Sequence, residues 1–251
     1  PLIIDNTASP VICKPLAHGA AIVMHSLTKY IGGHGTSIGG IVVDGGNFDW
    51  TKNRKRQPLL NEPDQSYGGA VWIDAVPQLT GANIPFVIRL RVVLLRDTGA
   101  PLAPFNAWQI IQGLETVGLR MKQHCSNAEK VVTFLETQKK VQNVIYPTNH
   151  QGEIKERAKK YMQGGYGSLV GMDVGTKENG AKFIDNLKML YHVANIGDAR
   201  SLAIHPATTT HSQLNEKELL AAGVTPGYVR LSIGIEHPDD IIADIKQALA
   251  A

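Results

Sequence analysis

The residues around one lysine of the chain are not those expected around a solvent-exposed charge. Lys29 lies between two apolar runs, 20–24 and 38–43, and its near neighbours are small hydroxyl and glycine residues. Ser26 and Thr28 precede it by three positions and one, near enough to hold a phosphate beside the ammonium group. A desolvated lysine next to another cation loses its proton easily and can form a Schiff base with a carbonyl. The stretch therefore predicts a nucleophilic lysine beside a phosphate site.

A carboxylate belongs to the same pattern. Asp5 follows the apolar run 2–4 and is itself followed by Asn6 and Thr7. A lone aspartate at a strand end is more often a turn residue or a helix cap. Asp5 becomes a site candidate because the Asp-Asn-Thr triplet precedes the lysine stretch by about two dozen residues.

The two stretches together resemble the cofactor site of the Cys/Met-metabolism family of pyridoxal phosphate (PLP) enzymes, the cystathionine synthase and lyase type. In that family the lysine of an S-x-T-K motif carries PLP, which implies this role for Lys29. The resemblance also implies that Ser26 and Thr28 bind the cofactor phosphate. It implies that Asp5 keeps the pyridine nitrogen protonated, so that the ring can accept electrons from the substrate.

The same resemblance extends to the C-terminal part of the chain. Arg230 opens the stretch R-L-S-I-G-I-E, similar to the family's R-L-S-x-G-x-E, and arginine binds carboxylates bidentately. The resemblance implies that Arg230 holds the substrate α-carboxylate, with Asn195 assisting and Thr210 as a weaker candidate. The alternative for Arg230 is a structural ion pair with Glu236 or another acid. His34 and His205 lack partners at metal-ligand spacing and are interpreted as structural.

Three segments resemble the O-acetylhomoserine sulfhydrylase branch of the family most closely: 195–202, 205–207 and 222–227. This implies γ-replacement in methionine and cysteine biosynthesis, in which O-acetylhomoserine and sulfide give homocysteine and acetate. Two alternatives stay open. One is a γ-lyase or cystathionine γ-synthase on the same fold, and the other is a catalytically silent fragment or subunit. The resemblance also implies a homotetramer built as a dimer of dimers.

Composition limits the other classes of protein. A net charge of +3 over 251 residues does not indicate nucleic-acid or membrane binding, and no apolar run reaches membrane-spanning length. The basic run 52–56 is best interpreted as a solvated loop. Two cysteines, Cys13 and Cys125, are too few for a disulfide framework, which fits a reducing cytoplasm.

The elements that position these residues follow an α/β pattern. Apolar runs predict strands near 2–4, 20–24 and 38–43, and the first two are of the kind that a sheet covered on both faces contains. A long amphipathic pattern predicts a connecting helix over about 106–138, and strands alternate with helices beyond it. The resemblance implies fold-type I, the aspartate aminotransferase-like fold. Residues 1–119 would be the rear part of the large PLP-binding domain, and residues 120–251 the complete small domain.

The chain opens inside an apolar run, Pro1-Leu2-Ile3-Ile4. Half a strand would leave backbone groups of its sheet unpaired, so we expect this chain to be the C-terminal part of a longer protein. In the family, the N-terminal part supplies a glycine-rich phosphate site, a tyrosine stacked on the cofactor ring, and a tyrosine and an arginine for the neighbouring subunit. We therefore expect the isolated 251 residues to bind PLP weakly and to turn over poorly.

Overall fold

Eight strands form two separate sheets in the computed structural model, which describes residues 1–251. The strands are Ile3–Asp5 (β1), Ile22–Ser26 (β2), Gly40–Asp44 (β3), Asn143–Ile145 (β4), Leu169–Asp173 (β5), Tyr191–His192 (β6), Leu202–Ile204 (β7) and Tyr228–Ser232 (β8). The first sheet has the order β1-β2-β3, with β1 parallel and β3 antiparallel to β2. The second has the order β4-β5-β8-β7-β6, in which only β6 and β7 are parallel.

Nine α-helical segments accompany the sheets. They are Pro58–Asn61 (α1), Trp72–Thr80 (α2), Pro85–Arg89 (α3), Arg96–Thr98 (α4), Pro104–Glu136 (α5), Gly152–Tyr161 (α6), Lys177–Asn186 (α7), Glu216–Ala221 (α8) and Pro238–Ala250 (α9). A π-helical segment, Leu90–Leu95, joins α3 to α4. No single helix is long and apolar enough to cross a membrane; α2 and the segment Pro85–Thr98, bent by 99°, pass that test of length and composition only as a pair.

The connecting helix predicted over 106–138 is confirmed as α5, which has 33 residues. At 1.5 Å per residue it is about 50 Å long. Of its predicted apolar positions, Leu114 alone is exposed, at 51%, while Ile110, Val117, Met121 and others are buried. The helix packs against the segment that carries Lys29 and, further along, against β4, β5 and α9. It therefore links the two sheets.

The largest core belongs to the second sheet. It contains 19 buried residues, most of them contributed by β5, β8, α7, α9 and the second half of α5. A smaller core of seven buried residues surrounds Trp50 and Trp72 beside the first sheet. This separation is compatible with the division into residues 1–119 and 120–251, which stays a prediction because α5 runs unbroken through the boundary.

The sequence predicts a first sheet that is covered on both faces. In the structure only Ile22 and Val23 of β2 are buried on its three strands. Apolar residues on all three strands, including Ile3, Met24 and Ile41, are 41–49% exposed. Ile22 packs into the core around Trp50 and Trp72. No element of the 251 residues covers the exposed side chains.

The sequence pattern predicts a strand at 192–195 and largely strand or extended chain at 196–204, but in the structure only His192, in β6, and Leu202–Ile204 (β7) lie in strands. Gly197 explains part of this difference, because its φ of +70° is a left-handed conformation that no strand contains. The intervening residues form a loop, and this loop carries Asn195.

A buried histidine of α5 gives the fold a pH dependence. Nδ1 of His124 donates to the Ile233 carbonyl at 2.7 Å, and Nε2 is buried without a partner. Burial lowers the pKa of His124 to about 4 from the usual 6.5. Between these values the unfolded chain binds a proton that the folded chain does not, so acidification favours unfolding.

We therefore expect the free energy of unfolding to fall by about 3 kcal/mol between pH 6.5 and 4 through this residue. Urea unfolding at several pH values, in the natural polypeptide that contains these residues, measures it. His124→Gln should remove this part of the pH dependence of the free energy of unfolding. The control His192→Gln, at an exposed histidine, should leave that dependence unchanged. The same pH dependence of the free energy of unfolding in the wild type and in His124→Gln would contradict the role given to His124.

Candidate active site

Two of the candidate residues lie at the same edge of the first sheet. Asp5 ends β1 and Ser26 ends β2, and the two strands are parallel, with Asp5 paired to Met24. Ligands of open α/β sheets bind outside the carboxyl ends of parallel strands. Sequence order and strand direction thus bring the Asp5 triplet and the lysine stretch to one edge.

Lys29 lies in a single π-helical turn, Leu27–Ile31, that follows β2 directly. Its own backbone is not helical, with φ −90° and ψ −133°. The Nζ atom donates a hydrogen bond to Oδ1 of Asn195. Burial, and secondarily the positive charge of Arg230, hold the pKa of Lys29 below its usual value. The neutral amine, which is the nucleophilic form, is therefore easier to reach than in an exposed lysine.

Arg230 lies on β8, and its Nη2 donates to the backbone carbonyl of Asn195 at 3.4 Å. No carboxylate lies within 4 Å of its guanidinium. The alternative ion pair with Glu236 is wrong, because Glu236 accepts instead from the backbone N–H of Ser201 at 2.6 Å and from its hydroxyl at 2.9 Å. A half-buried arginine without a carboxylate partner is a site for an incoming anion.

Asp5 is exposed, and one carboxylate oxygen accepts from the backbone N–H of Thr7 at 2.9 Å. Hydrogen bonds from Thr7, first from its hydroxyl and then from its N–H, hold the pKa of Asp5 below its usual range, and nearby His25 adds a smaller effect. The Thr7 hydroxyl oxygen also accepts from the backbone N–H of Ser26 at 2.7 Å, which ties the two strand ends together. Asp5 is thus a turn residue that stays ionised and accessible.

The two hydroxyls proposed for a phosphate differ in their surroundings. The side chain of Ser26 makes no hydrogen bond within the chain. The Thr28 hydroxyl donates to the Gly39 carbonyl at 3.4 Å and accepts from the Gly39 N–H at 3.1 Å. The Ser26 hydroxyl is therefore free to bind a ligand. Thr28 instead connects the turn Leu27–Ile31, here called the lysine turn, to Gly39, the residue before β3.

Thr210 is not brought into this group. It is exposed, and its only hydrogen bond, of 2.9 Å, joins its hydroxyl to Nδ1 of His211. His205 is fully buried and is hydrogen-bonded to Thr208 and to the Pro226 carbonyl, and His34 is exposed.

Arg120 is a residue that the sequence analysis missed as part of the site. It lies on α5 and is buried, and two of its four hydrogen bonds reach the residues directly after Lys29. The available signal was a charged residue between the apolar positions Val117 and Met121, on the side of the helix that the pattern predicts to be buried.

The residues present fit PLP. An aldehyde needs an amine with a lowered pKa, which Lys29 supplies, and a pyridine nitrogen needs an ionised carboxylate, which Asp5 supplies. A phosphate needs free donors, and the Ser26 hydroxyl is one.

Comparisons with known proteins agree with this arrangement. The family described as Cys/Met metabolism PLP-dependent enzyme matches residues 1–250. The O-acetyl-L-homoserine sulfhydrylase of Leptospira meyeri is 50% identical over 99% of this chain, and the homocysteine synthase of Schizosaccharomyces pombe is 44% identical over 99%. The chain spans 57% and 58% of those two proteins.

A solved structure gives the same result for the fold. It is a putative O-acetylhomoserine (thiol)-lyase from Campylobacter jejuni that holds a pyridoxyl-lysine phosphate. It is 41% identical to this chain, with a TM-score of 0.88 over 99% of this chain and 58% of its own. The predicted fold-type I α/β architecture and the predicted cofactor are thereby confirmed, and the chain belongs to the Cys/Met metabolism family of PLP-dependent enzymes.

Proposed function

We propose that the protein to which this chain belongs is an O-acetylhomoserine sulfhydrylase, which converts O-acetylhomoserine and sulfide into homocysteine and acetate. The observation that carries the proposal is the contact of Lys29 with Asn195 beside the unpaired Arg230. It places a reactive amine next to a site for a carboxylate, as an amino-acid substrate requires. The names of the relatives from Leptospira and Schizosaccharomyces support the choice of substrate.

The cofactor supplies an electron sink for the negative charge that develops at the substrate Cα. Asp5 would keep a proton on the pyridine nitrogen. Ser26 and Thr28 would hold the phosphate, Thr28 by exchanging its 3.4 Å hydrogen bond to the Gly39 carbonyl for one to the phosphate. Lys29, whose pKa is lowered, would act as the base that takes the Cα proton and would return protons in later steps.

Arg230 and Asn195 orient the substrate. The guanidinium binds the α-carboxylate, and the Asn195 side chain, which accepts from Lys29 in the structure, holds the amine on the same side. Thr210 is proposed only as an outer residue of this site, because it contacts none of the others. The division into a PLP-binding domain and a small domain, and the homotetramer, belong to the same proposal.

The test is an absorbance spectrum and a product analysis of the natural polypeptide that contains these 251 residues. We expect a visible band for the lysine-bound cofactor, and homocysteine and acetate after O-acetylhomoserine and sulfide are added. Release of ammonia and a keto acid would identify a γ-lyase instead. Formation of cystathionine with cysteine as the better sulfur donor would identify a cystathionine γ-synthase. A protein without the band would be a silent subunit.

A further inference from the structure

Arg120 is a buried charge that the proposed reaction does not use. Its exposure is 6%, and no carboxylate lies within 4 Å of its guanidinium. Burial without an acidic partner disfavours the charged form, and the pKa of Arg120 is accordingly below its usual value. A charge in that environment persists only where hydrogen bonds compensate its desolvation. The groups that accept hydrogen bonds from Arg120 therefore indicate its role.

All the acceptors of Arg120 are neutral oxygens. Nη1 donates to the carbonyl of Tyr30 at 2.6 Å, and Nη2 donates to the carbonyl of Ile31 at 2.9 Å. Nη2 also donates to the carbonyl of Gly113 at 2.7 Å, and Nε donates to the Thr116 hydroxyl at 3.2 Å. The planar guanidinium thus joins α5 to the two residues that follow Lys29.

The carbonyls of Tyr30 and Ile31 need such a donor because the lysine turn ends there. The N–H groups of Gly32 and Gly33 donate back to the carbonyls of Leu27 and Lys29. No backbone N–H further along the chain donates to the carbonyls of Tyr30 and Ile31. Gly33 then takes a φ of +71° and leaves the turn. The last carbonyls of a helical turn lack intrahelical partners and favour a cation at this end.

Two glycines allow this close approach. A Cβ on Gly33 would overlap the Arg120 guanidinium, and a Cβ on Gly113 would overlap the carbonyl oxygen of Gly32. The turn and the helix therefore pack backbone against backbone, with the guanidinium between them.

We propose that Arg120 is a positioning residue for Lys29: through the Tyr30 and Ile31 carbonyls it holds the turn Leu27–Ile31 in place, with the non-helical backbone conformation of Lys29 within it. The proposal rests on the proposed function for the role of Lys29, but it concerns the turn itself. Arg120 acts only through the backbone of the turn.

Arg120→Lys in the natural polypeptide tests the proposal. Lysine keeps the charge, but its single ammonium lacks the fork that reaches several carbonyls at fixed angles. We expect faster amide hydrogen exchange across residues 27–34 in the cofactor-free protein, with exchange in β5 and β8 unchanged. We also expect kcat to fall about 100-fold, since small misplacements of reacting groups cost this much, and KM to change far less. Arg157→Lys, at an exposed arginine paired with Glu153, is the matched control and should change neither.

The exchange experiment is independent of the reaction. If the wild type makes no homocysteine, the proposed function fails, and exchange at 27–34 still decides the role of Arg120. Unchanged exchange there would overturn the proposal. Faster exchange throughout α5 and the second sheet would overturn it as well, because Arg120 would then be a general element of the fold.

Discussion

Lys29→Ala is expected to lower kcat by about 10³-fold, the middle of the roughly 10²–10⁴-fold range that a positioned acid–base group contributes, and to remove the visible band of the bound cofactor. On the proposed function, the variant loses both the amine that carries PLP and the base that takes the Cα proton. No other lysine replaces it, because Lys29 is the lysine that contacts Asn195 beside Arg230. Steady-state kinetics and absorbance spectra of the natural polypeptide measure both effects.

A small primary amine added to Lys29→Ala should restore part of the rate, because it supplies a free base to the emptied position. Lys182→Ala, at an exposed lysine of α7, is the control and should keep the band and the rate. A normal rate in Lys29→Ala would refute the assignment of the lysine, whatever the spectrum shows.

Asp5→Asn is expected to lower kcat by about 10²-fold, which corresponds to about 3 kcal/mol. Asparagine keeps the shape and can still accept from Thr7, but it has no charge with which to hold a proton on the pyridine nitrogen. Because the pKa of Asp5 is lowered, the wild type keeps this charge into the acidic range. The loss should therefore be about the same at every pH at which the protein is folded.

The chain contains a matched control for this substitution. Asp49 accepts from the N–H and the hydroxyl of Thr51, two positions later, as Asp5 does from Thr7, and its pKa is lowered in the same way. Asp49→Asn changes the same kind of turn in the polar loop after β3 and should leave kcat unchanged. An equal loss in both variants would show that the turn, and not the charge at the sheet edge, is responsible.

Local patterns predicted where the candidate residues of the first sheet lie, while their roles stay predictions. Asp5, Ser26 and Lys29 lie near the ends of apolar runs, and strand direction alone brings such residues to one edge. The connecting helix was predicted within two residues at each end, because its apolar positions recur over many turns.

Local sequence patterns could not predict contacts between segments that are distant in the chain. Arg230 was identified by its motif, but whether it pairs with Glu236 or faces Lys29 depends on how the second sheet meets the first. The role of Arg120 depends on carbonyls left open by the ending of a turn 90 residues earlier in the chain. The left-handed Gly197 reshaped a segment whose composition alone resembles a strand.

The contact between Lys29 and Asn195 also has a consequence for biosynthesis, because it joins residues 166 positions apart. At about 5–20 residues per second, a ribosome takes roughly 8–33 s to make the intervening chain. Arg230, which contributes to the lowered pKa of Lys29, emerges later still. A nascent chain thus carries a lysine that still lacks its Asn195 contact, and the part of its lowered pKa that comes from Arg230 arises only when the C-terminal sheet has folded against it.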